Sequence, residues 1–319
     1  MKSTRHTAKC LARLHTALAI AVAGYTGPAL AQTTQVTVQH AKGSTTVATQ
    51  PAKTVVFDLP SLDIMQVLGV RAAGVPKSSY PASLSVYNGD AIPKTGTLFE
   101  PDQDAIGKIA PDLIIVGGRS RAKFDDVAKL APTLDLSIDP GNALTSIERN
   151  TNTLAAIFKK EAEAKAALEK LKKAVTNLKT KSAKAGNAML ILAVNEKTSA
   201  FGPGSRFGMI YDVFGFAPND AVKGLSAKDR HPVTLEDIAR ADPDWLFVID
   251  RNAATGRAGK PARETLENPV IRNSRAAKNN RIVYVDPYNW YIMGSAGLTS
   301  MQQNIEQISA ALDTAIAVK

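Results

Sequence analysis

The chain has 319 residues, a net charge of +10 and a single cysteine, Cys10. That count excludes a disulfide framework, and only two histidines, His40 and His231, lie beyond residue 31, too few for a metal site built from protein alone. The basic excess admits three partner classes: nucleic acid, a membrane surface or an anionic small molecule.

Residues 1–31 read as an export leader. Lys2, Arg5, Lys9 and Arg13 form a positive start without an acid, Ala17 to Ala23 is a short apolar run, and Ala29-Leu30-Ala31 is a small-residue cleavage signal. The apolar run falls far short of the ~20 residues that span a bilayer. Cys10 precedes that run, whereas a lipid-modified cysteine would follow it. The expected product is an unlipidated protein, free in a periplasm. Removing the leader leaves 288 residues and a net charge of about +6, a length for two domains of ~100–150 residues each. Export argues against nucleic acid, and no basic stretch is interleaved with aromatics.

Strand and helix patterns then alternate, which predicts an α/β fold. Val36 to Gln39 and Thr45 to Ala48 flank Gly43 as a hairpin, and TVVFD (Thr54 to Asp58) is a short strand. Ser61 to Leu68 reads as a helix capped by Ser61 and ended by Gly69. DLIIV (Asp112 to Val116) is a buried strand, and Arg121 to Leu130 is helical. AMLILAV (Ala188 to Val194), WLFVI (Trp245 to Ile249) and RIVYV (Arg281 to Val285) complete the strands.

Residues 145–184 contain neither glycine nor proline. Leu154, Phe158, Leu168, Leu171, Val175 and Leu178 fall on one face, predicting a single connecting helix of roughly 50–60 Å. Glu161–Lys165 and Glu169–Lys173 are spaced for i,i+4 pairing. The predicted organisation is an amino-terminal lobe over 32–144, this helix, and a carboxy-terminal lobe over 185–319.

An internal echo links the lobes. IGKIAPDLIIVGGR (Ile106 to Arg119) and IARADPDWLFVIDR (Ile238 to Arg251) share the pattern I-x4-P-D-x6-R. Each reads as helix, Pro-Asp turn, apolar strand and arginine. Ligands of open parallel sheets bind beyond the carboxyl ends of the strands, so Arg119 and Arg251 are expected to face one ligand cleft between the lobes. The plainer alternative has each arginine serving loop carbonyls or a neighbouring carboxylate.

FGPGSRFG (Phe201 to Gly208) is glycine-rich but lacks the pattern of a nucleotide loop. Arg206 opens a helical pattern there, a place that favours anions through free N–H groups. Tyr288, Trp290 and Tyr291 follow the last strand, where they either pack in the core or line the cleft. Glu100 and Glu236 stand at or before the helices of the two repeats, where the helix dipole alone favours an acid. No Ser-His-Asp set, Cys-His pair or zinc-peptidase motif is present, so an enzyme is not expected.

Six motifs in order, FDLPSLDIMQVLGV, GVPKSSYP, GTLFEPDQDAIGKIAPDLIIVGGR, GSRFGMIYDVFG, DPDWLFVIDRN and YVDPYNWY, resemble the periplasmic ferric siderophore-binding proteins of iron ABC importers, closest to the ferric-enterobactin or catecholate type. The resemblance runs from about Val55 to the C-terminus. It implies two Rossmann-like lobes bridged by one long helix, with no intrinsic cofactor. It implies a monomer that carries Fe(III) inside a catecholate siderophore to an inner-membrane permease. By the same resemblance Arg119, Arg206 and Arg251 surround the anionic complex, Tyr291 and a histidine complete iron coordination, and Glu100 and Glu236 dock the permease. Counted back from DPDWLF, the family's histidine position falls at Asp229, two residues before His231. Haem, cobalamin or a hydroxamate siderophore are alternative cargoes, and a secreted α/β enzyme acting on an anionic substrate is an alternative of another class. A neutral hydroxamate complex has no need of three arginines.

Overall fold

The computed structural model describes residues 34–317; the leader read over residues 1–31 lies outside them. The amino-terminal lobe opens with an antiparallel hairpin of β1 (Gln35–His40) and β2 (Gly43–Ala48). Three parallel strands follow in spatial order β3 (Thr54–Val56), β4 (Leu113–Val116) and β5 (Thr133–Asp135). Side chains alternate across this sheet. Val56, Leu113 and Ile115 enter the main core, while Val55, Phe57, Ile114 and Val116 enter a second cluster with Ile106 and Val127. A strand buried on both faces needs no polar positions, which is why LIIV is uninterrupted.

In the carboxy-terminal lobe, β6 (Asn187–Val194), β7 (Lys197–Phe201), β8 (Ala217–Pro218), β9 (His231–Val233), β10 (Trp245–Asp250) and β11 (Ile282–Tyr284) form one sheet of order β11-β10-β6-β7-β9, with β8 beside β6. β10 pairs parallel with both β6 and β11, but β7 is antiparallel to β6 and to β9. This sheet is therefore mixed, not the wholly parallel one a Rossmann-like lobe implies.

Helix limits depart from the sequence reading in three places. The first helix, α1 (Leu59–Val67), begins before Ser61, and Asp58 is its cap: the Asp58 carboxylate accepts from the Ser61 amide at 3.0 Å. Asp outcompetes Ser here because Pro60 at the second helical position fixes an earlier start. The stretch from Arg121 to Leu130 holds only two short turns, Arg121–Lys123 and Phe124–Val127.

The third departure is the largest: residues 145–184 are not one helix. α2 (Gln103–Ile109) lies within the first repeat, and then come α3 (Ala143–Phe158) and α4 (Glu161–Ser182), separated at Lys159, whose φ is +57°. The buried stripe explains the break. Leu154, Ile157 and Phe158 are buried, and a straight helix would continue them at 161, 162 and 165, all exposed; burial resumes at Ala164 and Leu168. Two stripes out of phase cannot both face the core of one straight helix. The Ile157 carbonyl instead accepts from Gln50 N at 2.7 Å. The expected i,i+4 ion pairs are likewise not closed; Lys160 pairs with Glu163 and Lys172 with Glu148.

The I-x4-P-D echo has a structural basis in both lobes. α2 ends on Ala110 and α5 (Leu235–Ala241) on Asp242, both left-handed, at φ +51° and +42°. A proline follows each, and a residue before proline is disfavoured in the right-handed helical region. The aspartate then clamps the start of the neighbouring strand: Asp112 accepts from Lys53 N at 2.9 Å, and Asp244 from Asn187 N at 3.0 Å.

The final helix, α6 (Leu298–Ala317), ties the lobes together by packing on both α4 and α1. Asp63 of α1 caps it, accepting from Ser300 N at 3.0 Å. Gly297 permits this approach, since a Cβ there would lie 2.0 Å from the Asp63 carboxylate.

Candidate functional site

The site is built where strands of both lobes end. β4 runs into Gly117, Gly118 and Arg119, and Gly118 takes φ +45° to turn the chain. β10 ends on Asp250, whose carboxylate caps a short helix Arg251–Thr255 by accepting from Ala253 N, so Arg251 is its first residue. β7 ends on Phe201 and leads into the glycine-rich turn that carries Arg206. Gly202 and Gly208 are needed in that turn: a Cβ would lie 2.3 Å from the Val222 carbonyl oxygen at the first and 2.8 Å from the Gly202 carbonyl oxygen at the second.

All three arginines converge on Tyr291. Arg119 reaches across the cleft and donates to the carbonyls of Tyr291 at 2.7 Å and Ile292 at 2.9 Å. Arg206 donates to the Tyr291 carbonyl at 2.6 Å, and Arg251 donates from Nε to the Tyr291 hydroxyl at 2.9 Å. Their guanidinium carbons stand 5.8, 4.8 and 5.7 Å from the Tyr291 ring centroid, within cation–π range. The segment Tyr288–Ile292 is a single π-helical turn, a form that leaves its last carbonyls free for such donors.

Electrostatics follow from this crowding. Burial lowers the Arg119 pKa first, and the Arg206 charge lowers it further; burial likewise lowers that of Arg206, with Arg230 adding to it. Burial alone would raise the Tyr291 hydroxyl. The hydrogen bond from Arg251 and the charges of Arg251, Arg206 and Arg119 outweigh it and bring the phenol below its ordinary value. Tyr288, three residues earlier, meets mainly burial and is pushed up to about 12. Gathered guanidinium groups repel one another, and an anion placed among them relieves that repulsion.

Two cavities adjoin the cluster and share Arg206 as a wall. One lies between the lobes, lined by Asp58, Leu98, Gly117, Arg119 and Ile138 on one side and by Met209, Ile292 and Met293 on the other. The second belongs to the carboxy-terminal lobe and is bordered by Phe201, Phe207, Lys228, Arg230 and Tyr291. Phe207 stacks against Tyr291 with ring centroids 6.2 Å apart.

Several expectations are corrected here. Trp290 does not line the cleft. It is 1% exposed and packs edge-on against Phe214, because the π turn sends its side chain into the core. His231 is not brought to the cluster; it sits on β9 with its imidazole Nε2 3.0 Å from the Ser226 carbonyl and lines neither cavity. The glycine-rich turn offers no free helix start either. Its helix is one turn, Met209–Asp212, and the Gly204 amide already donates to Asp212 at 2.7 Å. Glu100 and Glu236 stand apart from the cluster on the surface of opposite lobes, Glu100 paired with Lys123 at 2.7 Å. Sequence reasoning passed over Asp58, Lys228 and Arg230. The strand-ending aspartate of VVFDLP and the cations of AKDRHP were the available signals.

A model of the family described as periplasmic binding protein matches residues 55–289. The petrobactin-binding protein YclQ of Bacillus subtilis (strain 168) is 37% identical, covering 88% of this chain and 89% of its own. Its crystal structure matches with a TM-score of 0.83 over 88% of this chain and 99% of the other. The ferric-anguibactin-binding protein FatB of Vibrio anguillarum is 30% identical over 86% of this chain and 87% of its own. The periplasmic catecholate-siderophore binding protein VctP of Vibrio cholerae matches in structure at 28% identity and a TM-score of 0.81, over 87% of this chain and all of the other. With a family model across most of its length and a relative 37% identical over 88% of it, the chain belongs to the periplasmic binding protein family.

Proposed function

We propose that this protein captures a ferric catecholate siderophore in the periplasm and delivers it to an inner-membrane ABC importer. One observation carries the reading: three arginines from two lobes gather on one tyrosine whose phenol is held below its ordinary pKa. A ferric catecholate is an anion bearing planar oxygen donors, which suits the fixed fork of arginine. Arg119, Arg206 and Arg251 embrace it. On binding, Arg119 and Arg206 exchange the Tyr291 carbonyl for ligand oxygens. A tyrosinate is a hard oxygen donor for Fe(III), and its proton is the more easily lost because Arg251 already holds the hydroxyl. The relatives named for petrobactin, anguibactin and catecholate siderophores support this cargo class. Exposed Glu100 and Glu236, one on each lobe, are the proposed contacts for the permease.

The test is a titration with ferric catecholate complexes, read by quenching of Trp290 and Trp245 fluorescence and by the visible charge-transfer band. Submicromolar binding with a band that changes in Tyr291→Phe is the expected result. Tight binding of a hydroxamate complex or haem, with none for any catecholate, overturns it.

A further inference from the structure

The cavity between the lobes carries one carboxylate in its lining, Asp58. This side chain is 6% exposed. Both hydrogen bonds it accepts, from Ser61 N at 3.0 Å and Ser61 Oγ at 2.6 Å, go to Oδ2. Oδ1 lies over Gly117, where an added Cβ would come within 2.7 Å of it, and Gly117 borders the same cavity. Glycine at 117 thus keeps open the ground on which Oδ1 stands. Oδ1 accepts no hydrogen bond from the protein and is open to the cavity, so it is a ready acceptor for a donor carried by the occupant. Around it the walls are largely apolar: Leu98, Ile138, Met209, Ile292 and Met293. Besides Asp58, Arg119 and Arg206 the lining holds one further polar side chain, Ser205, and it is already engaged, its Oγ donating to the Gly202 carbonyl at 2.6 Å.

The two cavities therefore ask for different chemistry. The one in the carboxy-terminal lobe, with Arg206, Lys228, Arg230 and Tyr291, suits the anionic iron-bearing rings. The one between the lobes suits an apolar segment bearing a hydrogen-bond donor. We propose that the cargo straddles Arg206, and that Asp58 Oδ1 selects it by accepting a hydrogen bond from an N–H in the linker that joins its iron-binding rings. This rests on the siderophore reading above and makes Asp58 a specificity residue of that site.

Two ferric bis-catecholates distinguish the outcomes. They are identical except that one linker carries an amide well away from the rings and the other an ester in its place. The wild-type protein is expected to bind the amide complex about tenfold more tightly, the difference one charge-assisted hydrogen bond makes. Asp58→Asn keeps the helix cap, because the Ser61 amide draws the side-chain oxygen and turns the NH2 toward the cavity. That NH2 is a donor, so the preference is expected to vanish or invert. Equal binding of the two complexes by the wild-type protein overturns the assignment of Asp58 while leaving the siderophore reading intact. A variant that weakens both complexes but keeps the amide preference also overturns it, reducing Asp58 to a support for Arg119. Failure of the wild-type protein to bind either complex sinks the siderophore reading itself.

Discussion

The two copies of the Pro-Asp repeat are alike in scaffold and unlike in surroundings. In each, a helix ends left-handed, an aspartate clamps the adjacent strand and an arginine follows the next strand. Arg119, however, comes to rest within reach of one buried acid, Asp58, and of the Arg206 charge. Arg251 comes to rest beside a phenol, donating from Nε to the Tyr291 hydroxyl. One repeat thus yields a cation set between an acid and a second arginine, and the other a cation engaged with a phenol. The lesson is that the motif sets where an arginine stands, while the strands next to it set what that arginine can attract.

Replacing Arg119, Arg206 and Arg251 together with glutamine is the largest break. It should weaken a ferric catecholate by more than about a hundredfold in equilibrium titrations, since three charge-assisted contacts are lost. If affinity survives, neither arginine of the repeat serves an anion. Next in size is Asp58→Asn, read as stability. Burial, partly offset by Ser61, raises the Asp58 carboxyl from 3.8 to about 6. A raised folded value means that the group's stability contribution is complete below the unfolded value and is lost as pH rises through about 6. The variant should flatten that dependence and gain up to about 3 kcal/mol near pH 7, measured by urea unfolding across pH 4 to 8.

The scaffold itself can be compared by paired substitutions. Asp244→Ala removes bonds to Asn187 N and Nδ2 and the contact with Arg275, and should cost about 2 kcal/mol. Asp112→Ala removes a bond to Lys53 N at an exposed position and should cost about 0.5 kcal/mol. Equal losses would mean the two clamps carry equal load despite their different burial. The smallest effect is spectroscopic. Arg251→Gln should raise the Tyr291 titration, followed by ultraviolet phenolate absorbance, more than Arg119→Gln does. Arg251 contributes both a hydrogen bond and a charge, Arg119 a charge alone.

Much of this was legible in the sequence because it rests on local rules. The strands LIIV and WLFVI, the hairpin about Gly43 and the repeat with its paired arginines all follow from periodicity and turn chemistry. The gathering of Arg206 with them was legible only through family likeness, since nothing local says that a glycine-rich turn after β7 will meet a tyrosine 85 positions later. The break at Lys159 was written in the missing apolar residues at 161 and 165, but absence of glycine and proline is the louder signal. Trp290 was ambiguous because an aromatic just beyond a strand end can pack inward or line a cleft, and the π turn of the backbone decides which. Asp58 was hidden because it reads as the end of the strand TVVFD with Ser61 as the cap, whereas it is both helix cap and cavity wall.

The Asp63 carboxylate that reaches from α1 to the start of α6 has a consequence for how the molecule melts. Its partner helix follows directly from the Tyr291 segment, and the apolar cores of both lobes join around α1, α4 and α6. Loss of either lobe strips the other of core and of cap at once, so heat should remove both in one cooperative transition. A cargo seated at the cleft then protects the whole chain, and its binding energy appears as a rise of a single melting point.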